Sequence, residues 1–144
     1  MLAKTFGNNT SLIPVLLRIG AGLTFLFTGI AKLGAPPVAF FTQLGIPAPE
    51  IMAPFIAILE TVGGLMLLLG FGTRLAAALL VCDMLVAIFA AKMGGAQGFM
   101  ALGLPNGWNA VRIEVMLLLS CLALLFSGPG SPSIERNVMK RELL

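Results

Sequence analysis

The chain has 144 residues, 58% of them hydrophobic and 10% charged, with a mean hydropathy of +1.02. Soluble domains carry about a quarter charged residues, so that class is excluded, and the length fits one domain, 1–144. A thinly spread net charge of +3 and the absence of His argue against nucleic acid and exclude His-ligated haem, a His-bound metal and a Ser-His-Asp triad.

The first apolar run is Leu12 to Ala31, closed by Lys32, Gly34 and Pro36-Pro37. Asn8, Asn9, Thr10 and Ser11 are good cap residues before it, and Pro14 falls in the first turn, where proline is tolerated. The run is too long for a signal-peptide core and no small-x-small cleavage site follows, so it reads as a span. The second run, Ile51 to Gly70, is entered through Pro47, Pro49 and Glu50 and stopped by Gly70 and Gly72. The third follows Arg74 and ends at Ala91; the fourth covers 110–127 and stops at Gly128-Pro129. Each is long enough to cross the hydrocarbon core. The prediction is an all-α membrane protein, a bundle of four transmembrane helices (12–31, 51–70, 74–91, 110–127).

An even number of spans puts both termini on one side. That side and the turn before Arg74 hold five cations (Lys4, Arg74, Arg136, Lys140, Arg141) against three in the other loops (Lys32, Lys92, Arg112). The excess predicts cytoplasmic termini in a bacterial inner membrane. The tail, 131–144, has basic residues suited to anionic headgroups. The loops over 33–50 and 93–109 are apolar, with Phe40, Phe41, Leu44, Phe99 and Trp108. They either anchor at the interface or cover a cavity between helix ends. Cys82 and Cys121 lie inside apolar runs, form no Cys-x-x-Cys and read as small buried hydrophobes.

Ionisable side chains inside spans are costly and point to function. Here they are Arg18, Glu60, Asp83 and Glu114, with Arg112 at the mouth of the fourth helix. With a rise of about 1.5 Å per residue, Arg18, Glu60 and Asp83 reach similar depths and are predicted to meet. Glu114 lies nearer the outer side, within range of Arg112, Lys32 or Lys92. Helical spacing supports inward placement. Arg18, Gly22, Phe25, Gly29 and Lys32 share a face, as do Ala53, Ala57, Glu60 and Gly64. Glu114 and Cys121 align on the fourth helix. The carboxylates outnumber the cations, so at least one acid is expected to stay protonated or to exchange protons. A buried network that only fixes helix register is the competing reading.

These residues carry a resemblance. Arg18-Ile19-Gly20 with Gly22-Leu23-Thr24-Phe25-Leu26 and Gly29-Ile30-Ala31-Lys32-Leu33 form one block. A second is Phe40 to Pro49, and a third runs from Glu60-Thr61-Val62-Gly63-Gly64 to Thr73-Arg74-Leu75-Ala76. The fourth is Glu114 with the ending Gly128-Pro129-Gly130-Ser131-Pro132-Ser133-Ile134-Glu135. In this order they resemble the DoxX family of small four-helix membrane proteins. The resemblance implies a membrane subunit of a redox system, as in thiosulfate:quinone oxidoreduction or oxidative-stress defence. It places the family's polar positions on Arg18, Lys32, Glu60, Arg74 and Glu114.

The expectation that follows is a quinone-binding membrane subunit. Phe25 and Phe89 would pack the ring, Arg18 would polarise an oxygen, and Glu60 or Asp83, with Glu114, would handle protons. Lys32, Arg112 and Cys121 complete the candidate binding residues. With no haem or metal ligands, electrons would come from a partner subunit in a homo- or hetero-oligomer, or from substrate. A non-catalytic scaffold is the alternative. A small anion carrier using Arg18, Lys32 and Arg112 is a third reading, disfavoured by the small size.

Overall fold

A computed structural model describes residues 12–92, 106–130 and 134. The predicted cap at Asn8 to Ser11, most of the 93–109 loop and the basic tail, save Ile134, lie outside them.

The elements are α1 (Leu12–Gly34), α2 (Val38–Gln43), α3 (Pro49–Leu69), α4 (Thr73–Val86) and α5 (Asn106–Ser127). A π-helical segment, Ala87–Lys92, continues α4. Four helices are long and apolar enough to span a membrane: α1, α3, α5 and Thr73–Ala90. No strand occurs among the described residues. The outward side chains are themselves apolar, Ile13, Leu16, Phe27, Phe55 and Phe126 among them. Such a surface suits lipid, where burying an apolar face gains nothing.

The boundaries follow local chemistry. Helix α1 runs to Gly34, beyond the predicted end at Ala31, and carries Lys32 within it. Lys32 does not end the helix because it has a carboxylate partner on α3. Pro49 starts α3 at a position where a missing N–H costs nothing. Gly70, with φ of 68°, ends it in the left-handed conformation that glycine adopts without penalty. The Gly70 and Phe71 amides then donate to Leu67 O and Met66 O. One element has no counterpart in the sequence reading. The 33–50 loop contains the short helix α2, started by Pro36-Pro37 and carrying Phe40 and Phe41 with ring centroids 6.5 Å apart.

With no hydrophobic drive inside lipid, helices hold together by close packing of small residues. Helices α1 and α3 do so along Gly22, Gly29 and Gly64. A Cβ on Gly64 would stand 2.5 Å from the Leu26 backbone N, and one on Gly29 would stand 2.5 Å from Thr61 N. These contacts set the register, with Gly29 opposite Thr61 and Gly22 opposite Leu68. On the other side of α3, Gly63 lies against Leu80 of α4. Phe25, Leu67, Leu80, Cys121 and Leu124 fill the core.

Candidate functional site

The α1–α3 register decides where the charges go. The two helices are staggered, so α3 projects past α1 at the α2 end and α1 projects past α3 at the other. Arg18 therefore levels with the end of α3 near Gly70, about 18 Å along the axis from Glu60 at twelve residues of rise. The predicted meeting of Arg18 with Glu60 and Asp83 does not occur. The depth estimate took the helix ends as level, and they are not.

Arg18 is buried and serves the opposite end of the bundle. Its Nε donates to Leu67 O at 2.8 Å, and its two terminal nitrogens donate to Pro129 O and Leu68 O. The guanidinium thus caps the carbonyl end of α3, where Leu67 O also accepts from the Gly70 amide. The guanidinium also faces the negative end of the α3 dipole. Its charge is thus answered by oriented backbone, and α1, α3 and the segment after α5 are tied together.

At the α2 end, Lys32 Nζ of α1 bonds Glu60 Oε1 of α3 at 2.6 Å. The Glu60 side chain is 3% exposed, whereas Lys32 is 35% exposed. The lysine stem thus reaches down from the rim to a buried carboxylate. The Gly63–Leu80 contact puts Glu60 level with Asp83 of α4, and the two acids are electrostatic neighbours. Asp83 is 6% exposed. Among the described residues, Glu60 Oε2 and Asp83 Oδ2 are both buried without a hydrogen-bond partner. Buried polar atoms are rarely left so, and each one calls for a reason.

Both acids line a cavity of about 380 Å³. Its walls are otherwise largely apolar: Phe25 from α1, Ile56 from α3, Met84 from α4 and Leu117 from α5. Phe40, Phe41 and Leu44 close it from the α2 side. The 33–50 loop therefore contributes to the cavity wall, while Phe40 stays 47% exposed on its outer side. Thr24 and Thr28 also line it, but their hydroxyls bond back to Gly20 O and Thr24 O. Ala87 and Ala90 of the π-helical segment form part of the wall, one turn beyond Asp83. Single π turns often mark functional sites.

The other candidates divide. Glu114 and Lys32 line the cavity, as does Phe25. Phe89 does not: it is 68% exposed, and six residues past Asp83 helical spacing already carries it off the cavity face. Arg112 is exposed and bonds Asn109 Oδ1 at 3.1 Å, off the cavity wall. Cys121 is packed in the core beside Leu80 and Leu124 and does not reach the cavity. Cys82, expected inside, is exposed; a thiol is apolar enough for a lipid-facing position. The sequence reading placed Phe40 and Phe41 in a loop that could cover a cavity but not among the binding residues, and it did not pair Lys32 with Glu60. The aromatic pair was visible as a signal, since two adjacent Phe residues in a short loop need cover.

Four spanning helices around a cavity with buried acids define a small multi-pass membrane protein. The chain belongs to the DoxX family, whose model matches residues 13–93. It is 37% identical to the "Uncharacterized membrane protein Rv3486" of Mycobacterium tuberculosis, over 88% of this chain and 82% of that one. It is 28% identical to the "Putative oxidoreductase CatD" of Bacillus subtilis, over 88% and 87% of the two chains. The "Inner membrane protein YphA" of Escherichia coli matches at 28% over 92% and 94%. No solved structure matches the chain.

Proposed function

We propose that this chain is an inner-membrane redox subunit whose cavity binds the head group of a quinone. The observation that carries the reading is the pair of buried, unanswered carboxyl oxygens on an apolar, aromatic wall. The volume falls in the range of small-molecule sites. The name of the Bacillus relative supports redox work in the family. The excess of cations in Lys4, Arg74 and the tail supports cytoplasmic termini.

The residues fit such a ligand. Two carboxyl groups face one ammonium, and a net charge in the hydrocarbon core is costly. The acid pair therefore keeps one proton, shared between Glu60 and Asp83. That proton gives Asp83 a hydrogen bond to donate to a carbonyl oxygen entering the cavity. Lys32 holds Glu60 in place beside Asp83, so that Glu60 relays a replacement proton to Asp83 after Asp83 has given its own to the quinone oxygen. Phe25, Phe40 and Phe41 pack against a ring and keep water out. A bound quinone would supply redox chemistry coupled to proton uptake. The electron donor sits on a partner subunit or is the reduced substrate itself.

Titrating the full-length protein in mild detergent with a short-chain quinone tests this. Saturable binding is expected, with a loss of about tenfold or more in Asp83→Asn, a factor worth about 1.4 kcal/mol. No binding, or equal binding by wild type and Asp83→Asn, would remove the reading. The scaffold alternative has its own support, since Arg18 and the glycine seam lock the helices without any ligand. It predicts that cells tolerate Asp83→Asn.

A further inference from the structure

The acid pair has a second charge state, and it selects a different ligand. Once that proton leaves, Lys32, Glu60 and Asp83 together carry one net negative charge, and Glu114 on the same wall is a third carboxyl. Among the described residues, no hydrogen bond reaches Glu60 Oε2 or Asp83 Oδ2 to offset that charge. Both atoms belong to side chains more than nine-tenths buried, and both residues line the cavity. Phe25, Phe40 and Phe41 line the same cavity. Aromatic rings attract a cation through their negative faces, and the attraction grows when water is excluded. A small anion meets the opposite: the ammonium of Lys32 is already held by Glu60 at 2.6 Å, and the next charge is another carboxyl.

We propose that this cavity binds lipophilic organic cations, hydrophobic amines and quaternary or phosphonium ions, each one displacing the proton of the Glu60–Asp83 pair. The size agrees, because about 380 Å³ admits an ion of several rings but no large hydrated solute. The position agrees too: such ions partition into a bilayer and reach the site beside α2, where Lys32 is 35% exposed. The groups that face the acid pair are few. Lys32 comes from α1, Glu60 from α3, and Glu114 lines the same cavity from α5. Cys121 of α5 lies within electrostatic range of Asp83 from the core side. The proposal does not depend on quinone binding, since it uses the deprotonated state and the quinone uses the protonated one.

The test is isothermal titration of the purified full-length protein with tetraphenylphosphonium, from acidic to alkaline buffer. The neutral triphenylphosphine oxide serves as the control of like shape. Phosphonium affinity should rise about tenfold per pH unit wherever the pair is protonated, which is one proton released per ion bound. The oxide should bind weakly and without pH dependence. A pH-indicator dye in weak buffer should count that proton directly in the wild type. Asp83→Asn and Glu60→Gln should each cut phosphonium affinity at least tenfold and flatten its pH dependence. If either variant fails to fold, the proton count on wild type still decides. Equal binding of oxide and phosphonium, or phosphonium binding without proton release, would overturn the proposal. Quinone binding without phosphonium binding removes this inference alone; phosphonium binding without quinone binding removes the redox reading alone.

Discussion

The two ends of the α1–α3 pair solve the same problem in opposite ways. Each places a cation of α1 against α3 inside a membrane span. At one end, Arg18 meets carbonyls: Leu67 O, Leu68 O and Pro129 O. Neutral backbone dipoles take three of its hydrogen bonds and tie helix ends together. At the other, Lys32 meets Glu60, and Asp83 adds an acid that the lysine does not balance. The first arrangement closes a structure. The second leaves buried oxygens open to a cavity. A buried charge therefore says little about function until its partners are counted. Oriented backbone around it points to architecture, and an unanswered neighbour points to chemistry.

The comparison can be broken at either end. The largest effect is expected at the carbonyl end. Arg18→Met removes charged hydrogen bonds to Leu67 O, Leu68 O and Pro129 O, each worth about 1.5–3 kcal/mol, and should cost about 3 kcal/mol or more. Thermal unfolding in detergent reads this, and the surviving folded protein should bind quinone as before. Next is the seam between the two ends. Gly64→Ala puts a methyl 2.5 Å from the Leu26 backbone N, so α1 must shift. The expected loss is about 2 kcal/mol, as for overpacking elsewhere. The smallest stability change is expected at the open end. Asp83→Asn removes a carboxyl with an unpartnered oxygen, and stability should change by about 0.5 kcal/mol or less. It should nonetheless abolish the infrared carbonyl band of a protonated carboxylic acid that the wild type shows. A band of equal strength in the variant would place the proton elsewhere.

Much of this was legible in the sequence. The four spans were, because long apolar runs bounded by Gly, Pro and charge have few other readings. So was the small-residue face of α1, since Gly22, Phe25, Gly29 and Lys32 recur at helical spacing. Glu60 and Asp83 were placed inward correctly, because an acid pointed at lipid has no partner. Arg18 was misplaced for a definite reason. Depth along a helix depends on stagger, and stagger is set by which glycine packs on which residue of the next helix. That pairing is tertiary, and no single-chain pattern reports it. Phe89 is off the wall for a simpler reason, since six residues past Asp83 is about 240° round a helix, away from the face that Asp83 and Ala87 share. Helix α2 was hidden by its six-residue length, too short for any periodic signal.

The sharpest test replaces the pair Lys32 and Glu60 together, as Lys32→Met with Glu60→Leu. Exchanging a buried ion pair for apolar residues of similar volume is often neutral or stabilising. The double variant should therefore unfold within a few degrees of wild type, while quinone binding in the same detergent sample falls about tenfold or more. A double variant that binds as well as wild type would contradict the account. So would one that cannot fold, because that end would then serve architecture as Arg18 does.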